Sequence, residues 1–389
     1  MKEKYQLHRY WTLILIFLAA AGMLWVWLLV PGKGAESAKA VQNGSLPPNW
    51  HSFRLTDEPV SGMFWEGNIL DVYDHYILWS EGDIHPITGG TPSCENSNST
   101  LYSSEKTWFH MPSGRSDYDI CVYDRSTGLV SHLIDSDEGD RSPAMDGDWI
   151  AFQREMINAP HLVLYNIVSG HEMLITDTLY TGASDPAIHG DWVVYSNPFD
   201  GQIRAYKLST QEILELSSPS IYFHINPDIY QQIVVWQQVD FQDYSVDIVG
   251  YDLSNNTPFT ISAQIGNEGN PKVYEDIVVW DWNGDIYSYN LATSQYMTLT
   301  NDPFPQMTPD IYENLIVWRD GRHNRWDIYG IDLQTNEVFS VTQGINPVPD
   351  TYSPDIWGNI VAWHGPGNQG AAAAIKMTEF SFLPLLNNP

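Results

Sequence analysis

The sequence predicts an all-β chain, a seven-bladed β-propeller of four-stranded antiparallel blades preceded by one transmembrane helix. Three observations predict it. One ten-residue phrase recurs through the body of the chain. Its copies stand roughly forty residues apart, the length of one propeller blade. Ahead of them, residues 11–30 form an apolar run without a charge.

Taken in chain order, the apolar run comes first. From Trp11 to Val30 there are 20 uncharged residues rich in Leu, Ile, Ala and Trp, long enough to cross a hydrocarbon core as a helix. Lys2, Lys4 and Arg9 precede it, while Glu36 partly balances Lys33 and Lys39, so residues 1–10 stay in the cytoplasm and the rest is exported. A cleaved signal peptide is the alternative, with Ala38 and Ala40 as the cleavage signature. Residues 31–49, rich in Gly, Ser, Asn and Lys, read as a flexible stalk.

The propeller follows over 50–382, with a tail at 383–389. Its clearest phrase is Pro309-Asp-Ile-Tyr-Glu-Asn-Leu-Ile-Val-Trp318, and copies begin at Pro143, Pro186, Pro227, Pro271 and Pro354. Each ends in an aromatic: Phe152, Tyr195, Trp236, Trp280, Trp318 and Trp363. A degenerate seventh copy runs from Leu70 to Trp79. A second phrase follows most copies, as in Asp285-Ile-Tyr-Ser-Tyr and Asp327-Ile-Tyr-Gly-Ile. Short β-branched and aromatic runs separated by Asn, Asp and Gly turns make each unit four strands, A to D. The last unit has no strand D of its own. Phe53-Arg-Leu-Thr56 resembles the strand D segment Thr298-Leu-Thr300, so an N-terminal strand completes the last blade and closes the ring.

These phrases resemble the TolB-type propeller repeats of bacterial and archaeal surface and periplasmic proteins. The segment Trp318-Arg-Asp-Gly-Arg-His-Asn-Arg-Trp-Asp-Ile-Tyr329 carries the likeness, with its Asp and Arg one step out of the commonest register. The resemblance implies the fold. Propellers of this kind include scaffolds, peptide binders, glycan binders and a few enzymes, so it does not imply one activity.

Composition narrows the partners. With 48 acidic against 18 basic residues and a formal net charge of −30, the chain does not grip a nucleic-acid backbone. Cys94 and Cys121 match no zinc spacing; a disulfide between them is one reading and two free thiols the other.

Short A to B and C to D turns look built for geometry, whereas the B to C loops vary in length and chemistry, so binding is expected there. The longest is an insertion at about 80–117 in the first blade, holding Trp108, Phe109 and His110. The sixth-blade loop concentrates Arg319, Arg322 and Arg325 with His323, a set suited to carboxylate or phosphate recognition or, alternatively, paired with local Asp and Glu. Phe199, Asp240, Phe241, Tyr244, Trp282, Phe304 and His364 project onto the same face. Their aromatics suit a protein partner or sugar rings.

No catalytic constellation is expected: there is no G-x-S-x-G elbow, His-E-x-x-H or P-loop pattern. No cofactor is expected either. Asp281, Asn283 and Asp285 alternate as calcium ligands do but lack the later Glu, so a hairpin turn explains them better. The expected function is a non-enzymatic, membrane-anchored extracytoplasmic scaffold that binds a protein partner in the envelope. Glycan binding is the first alternative and a propeller-type polysaccharide lyase or hydrolase the second.

Overall fold

The computed structural model describes residues 50–54, 70–82 and 118–376, apart from positions 75, 125–128, 135, 137, 157–158, 177–181, 219–221, 265, 324, 343–352 and 365–370. The apolar run at 11–30, the stalk and the bulk of the 80–117 insertion lie outside them. Among the described residues no helix is long and apolar enough to cross a membrane; the predicted transmembrane helix at 11–30 lies outside them.

Among the described residues the strands form seven four-stranded antiparallel sheets. Six are built from strands consecutive in sequence. The seventh takes Asp355–Trp357, Ile360–His364 and Ala371–Lys376 from the end of the chain and Trp50–Arg54 from its beginning. Trp50 pairs with Lys376 and Arg54 with Ala372, so the expected N-terminal closing strand is present, a few residues upstream of Phe53–Thr56. The sheets are numbered here one to seven in chain order, with the composite sheet last.

The innermost strands are Leu70–Tyr73, Gly139–Asp146, Ser184–His189, Tyr222–Tyr230, Glu268–Tyr274, Gln306–Tyr312 and Asp355–Trp357. Each touches the next, and Asp355–Trp357 touches Leu70–Tyr73, so the seven close a ring.

The recurring proline explains its own placement. Ser142, Asp185, Asn226, Asn270 and Thr308, each just before it, have φ of 49° to 52°. The ladder to the second strand slips there, as between Asn226's neighbours Ile225 and Asp228. The slip is a β-bulge, where a proline without an N–H costs no ladder hydrogen bond.

Alternation along the second strands builds the joints. Trp236 and Val234 pack back on sheet three with Ala187 and Val194, while Val235 packs forward on sheet five with Val278 and Trp280. Both faces are buried, hence the near-continuous apolar runs. The repeated aromatics Phe152, Tyr195, Trp236, Trp280, Trp318 and Trp363 are each at most 3% exposed. They hold consecutive sheets together, the role their recurrence predicts.

Candidate functional site

The residue after the recurring proline, with its equivalent Asp71 in sheet one, holds one position of the innermost strand in every sheet. Reading sheets one to seven, this position is Asp71, Ala144, Ala187, Asp228, Lys272, Asp310 and Asp355. The five charged residues line one axial cavity of about 270 Å³. Two residues further, at the end next to the A to B turns, stand Tyr73, Asp146, His189, Tyr230, Tyr274, Tyr312 and Trp357.

That rim is nearly a continuous collar. Ring centroids are 4.5 Å apart for His189–Tyr230 and Tyr230–Tyr274, 4.8 Å for Tyr274–Tyr312, 5.4 Å for Tyr312–Trp357 and 5.2 Å for Trp357–Tyr73. These are the separations of tilted aromatic pairs that attract through their edges and faces. Asp146 fills the remaining position and bonds the Tyr73 hydroxyl.

Each axial aspartate gives one oxygen to the next sheet. Met145 N donates to Asp71 Oδ2 at 2.7 Å, Val273 N to Asp228 Oδ2 at 2.7 Å, Ile356 N to Asp310 Oδ2 at 2.7 Å and Val72 N to Asp355 Oδ1 at 3.0 Å. Where the axial residue is alanine, the rim takes over: Gly190 N donates to Asp146 Oδ2 at 2.6 Å and Gln231 N to His189 Nδ1 at 3.1 Å.

Four carboxyls surround one ammonium, Lys272 Nζ, which lies 3.5 Å from Asp228 Oδ1. Burial pushes the Asp71 carboxyl up to about 7, only partly offset by the Met145 amide and Lys272. Burial likewise pushes Asp310 to about 6 and, joined by repulsion from Asp310 and Asp71, holds Asp355 well above the usual carboxylate range. For Lys272 burial opposes the charge, but Asp228, Asp310, Asp355 and Asp71 outweigh it and raise the ammonium's pKa. Burial thus raises three of the four carboxyls, Asp71, Asp310 and Asp355, and the single cation offsets it only in part.

The sequence-predicted residues lie elsewhere. Arg322 makes a two-pronged bond to Asp320 at 2.7 and 2.6 Å, reaches Asp302 at 3.3 Å and stacks on Tyr329. Arg325 Nε and His323 Nδ1 both lie 3.1 Å from Asp327 Oδ2. Arg319 is 7% exposed, with its guanidinium 4.4 Å above Trp326. Arg322 and Arg325 are therefore paired with carboxylates, Asp320 and Asp327 from the same stretch of sequence and Asp302 from the connection before it, while Arg319 stacks on Trp326.

Phe241, Tyr244 and Phe304 are exposed, at 37%, 61% and 40%, while Phe199 and Trp282 are half-buried. Asp281 Oδ2 accepts from Asn270 Nδ2 at 2.8 Å and Thr308 N at 2.9 Å, and Asp285 accepts from Thr300. Asn283 takes φ of 53° in the turn between them. Among the described residues no three His, Cys, Asp or Glu side chains are grouped to hold a metal. Cys94, Trp108, Phe109 and His110 lie outside the described residues, as do the side chains of Cys121 and His364.

The axial ring was missed because the phrase was read for what recurs. Its one sequence signal is the residue after the proline, which alternates among Asp, Ala and Lys within an otherwise apolar strand.

No family model and no curated protein matches the chain. Solved structures do. A puromycin hydrolase variant aligns at TM-score 0.55 and 11% identity over 82% of this chain and 52% of that one. An oligogalacturonate lyase from Vibrio parahaemolyticus aligns at TM-score 0.50 and 12% identity, over 63% and 76%. TolB from Acinetobacter baumannii aligns at TM-score 0.43 and 15% identity, over 57% and 58%. This chain spans little more than half of the first and third. At such identities the likeness is one of fold, and the fold is that of β-propeller proteins.

One expectation is corrected by these matches. The sequence reading set enzymes aside, yet two of the three structures are a hydrolase and a lyase by name. The fold gives no ground for separating this chain from enzymes.

Proposed function

We propose that the chain is a seven-bladed propeller of the TolB type, held outside the cytoplasm through residues 11–30, that binds a basic group of a protein partner in its axial cavity. One observation carries the reading: four aspartates face a single lysine in a 270 Å³ cavity beneath an aromatic collar. An incoming ammonium or guanidinium gains the carboxylates' charge and, on passing the collar, the negative faces of the tyrosine rings. Burial makes both attractions stronger than at an open surface.

Titrating the full chain in detergent with an acetylated, amidated lysine peptide and its norleucine counterpart tests this. The lysine peptide binds, the norleucine peptide does not, and Asp310→Asn weakens binding about tenfold, as loss of a charge-assisted bond does. Equal binding of the two peptides sinks the reading.

A second reading rests on the aromatics of the opposite face. Phe241 lies 6.0 Å from Phe223, and Tyr244 and Phe304 are also exposed in the fold's loops. They suit stacking on a glycan or on a partner's side chains. A glycan array on which Tyr244→Ala and the unaltered chain give the same signal removes it.

A further inference from the structure

The axial aspartates do two things at once: they set the charge of the cavity and they bond the joints between sheets. Three of them act at consecutive joints. Asp310 bonds sheet six to seven, Asp355 seven to one, and Asp71 one to two. The first two flank the one sheet assembled from both ends of the described chain, the sheet completed by Trp50–Arg54, and the third is the next joint along the ring.

We infer that closure of the ring depends on what the axial cavity holds: an ammonium group seated there tightens the two joints on either side of the composite sheet and the next joint, between sheets one and two. The inference rests on the cation-binding reading above and adds a consequence to it.

The physical argument turns on how crowded carboxylates are relieved. A charged carboxylate is a stronger acceptor for a backbone N–H than a neutral one. Four of them around one lysine repel, and the cavity can answer in two ways. Taking up protons removes the repulsion but weakens the acceptors that hold the joints. Taking up a cation removes the repulsion and leaves the acceptors charged. Only the second strengthens the amide bonds of Val72, Met145 and Ile356. The other ionisable groups facing the cavity are Asp146, His189, Tyr73, Tyr230, Tyr274 and Tyr312. Asp146 and His189 bond the joints of sheets two to three and three to four, and Asp146 also bonds the Tyr73 hydroxyl across the joint of sheets one and two; the amides of Val72, Met145 and Ile356 are bonded by the axial aspartates.

Hydrogen exchange resolved to single amides tests this on the full chain in detergent at pH 6, where Asp71 and Asp310, pushed up to about 7 and 6, still take up protons, with 1,4-diaminobutane as probe and 1,4-butanediol as control. The diamine slows exchange at Val72, Met145 and Ile356 by about fivefold, the scale of one strengthened charged hydrogen bond. It leaves Ile286 and Ile328 unchanged, whose amides bond Thr300 and Thr342 away from the cavity. Asp355→Asn abolishes the response at Val72 and spares Met145; Asp71→Asn does the reverse. Calorimetric binding of the diamine without slowed exchange at these amides overturns the inference and leaves the site standing. No binding by calorimetry overturns both.

Discussion

Sheets two and three differ from sheets six, seven and one at the axial position of the same repeated phrase. Ala144 and Ala187 stand where Asp310, Asp355 and Asp71 stand. In the alanine arc the bond to the next sheet moves out to the rim, onto Asp146 and His189. In the aspartate arc it is made at the axis, by carboxylates that must also share Lys272. The contrast teaches that a repeat shows its chemistry where copies differ, because the residues common to all copies, such as the buried aromatics, are fully engaged in joining sheets.

Removing the cation should break the aspartate arc most severely. Lys272→Met leaves buried carboxyls without their counter-charge, a change that costs about 3–5 kcal/mol when one partner of a buried ionic group is deleted. We expect that loss in a denaturation midpoint at pH 8 and a smaller one at pH 5, where Asp71 and Asp310, pushed up to about 7 and 6, have bound protons. An equal loss at both values of pH would show that Lys272 acts through packing instead.

The opposite change should stabilise. Asp310→Asn keeps an oxygen for the Ile356 amide but removes one of the crowded charges, so the folded chain at pH 8 gains on the order of 1–2 kcal/mol. The gain vanishes at pH 4. It comes with weaker binding of the lysine peptide, a trade between stability and function confined to this arc.

The pH profile of the unaltered chain sets two groups against each other. Asp71, Asp310 and Asp355 have folded values above their unfolded ones, so the folded state binds more protons and this contribution to stability falls as pH rises from about 4 to 7. His224 behaves oppositely. It is 3% exposed, its Nδ1 lies 2.7 Å from the Gly201 carbonyl, and burial lowers its pKa. The unfolded state therefore binds its proton first, and its contribution is lost as pH falls below about 6.5. In His224→Gln the acid-side loss shrinks while the alkaline-side loss remains, a separation that denaturation across pH 4 to 8 resolves.

The repeat, the four strands per unit and the closing strand were legible because each is local. Period-two alternation, turn residues and the Phe53-Arg-Leu segment all speak within a dozen neighbours. The axial site was not, since Asp310 in Pro-Asp-Ile-Tyr looks like any polar residue near a turn. Its burial arises only when seven strands distant in sequence converge. The arginines at 319 to 325 are the converse case: they are dense in sequence, yet Asp302 and Asp320 already pair with Arg322 and Asp327 with Arg325.

The smallest expected effect lies in the A to B turns, whose division of the ring overlaps the first but is not the same. The first turn residue has positive φ in all seven sheets, from 50° to 61°. It is glycine in the alanine arc, at Gly147 and Gly190, and in sheet seven at Gly358, but Asp74, Gln231, Glu275 and Glu313 elsewhere. A side chain in this left-handed region costs about 1–2 kcal/mol, whereas glycine gives back roughly 0.4–1 kcal/mol through the freer unfolded chain. Glu313→Gly should therefore stabilise by about 0.5 kcal/mol, read as a slightly higher denaturation midpoint. Because Glu313 lies beyond the rim, lysine-peptide affinity stays constant. A change in affinity with Glu313→Gly would mean that turn geometry, and not the axial charge alone, shapes the cavity, and the contrast between the two arcs would then be one of backbone as well as of side chain.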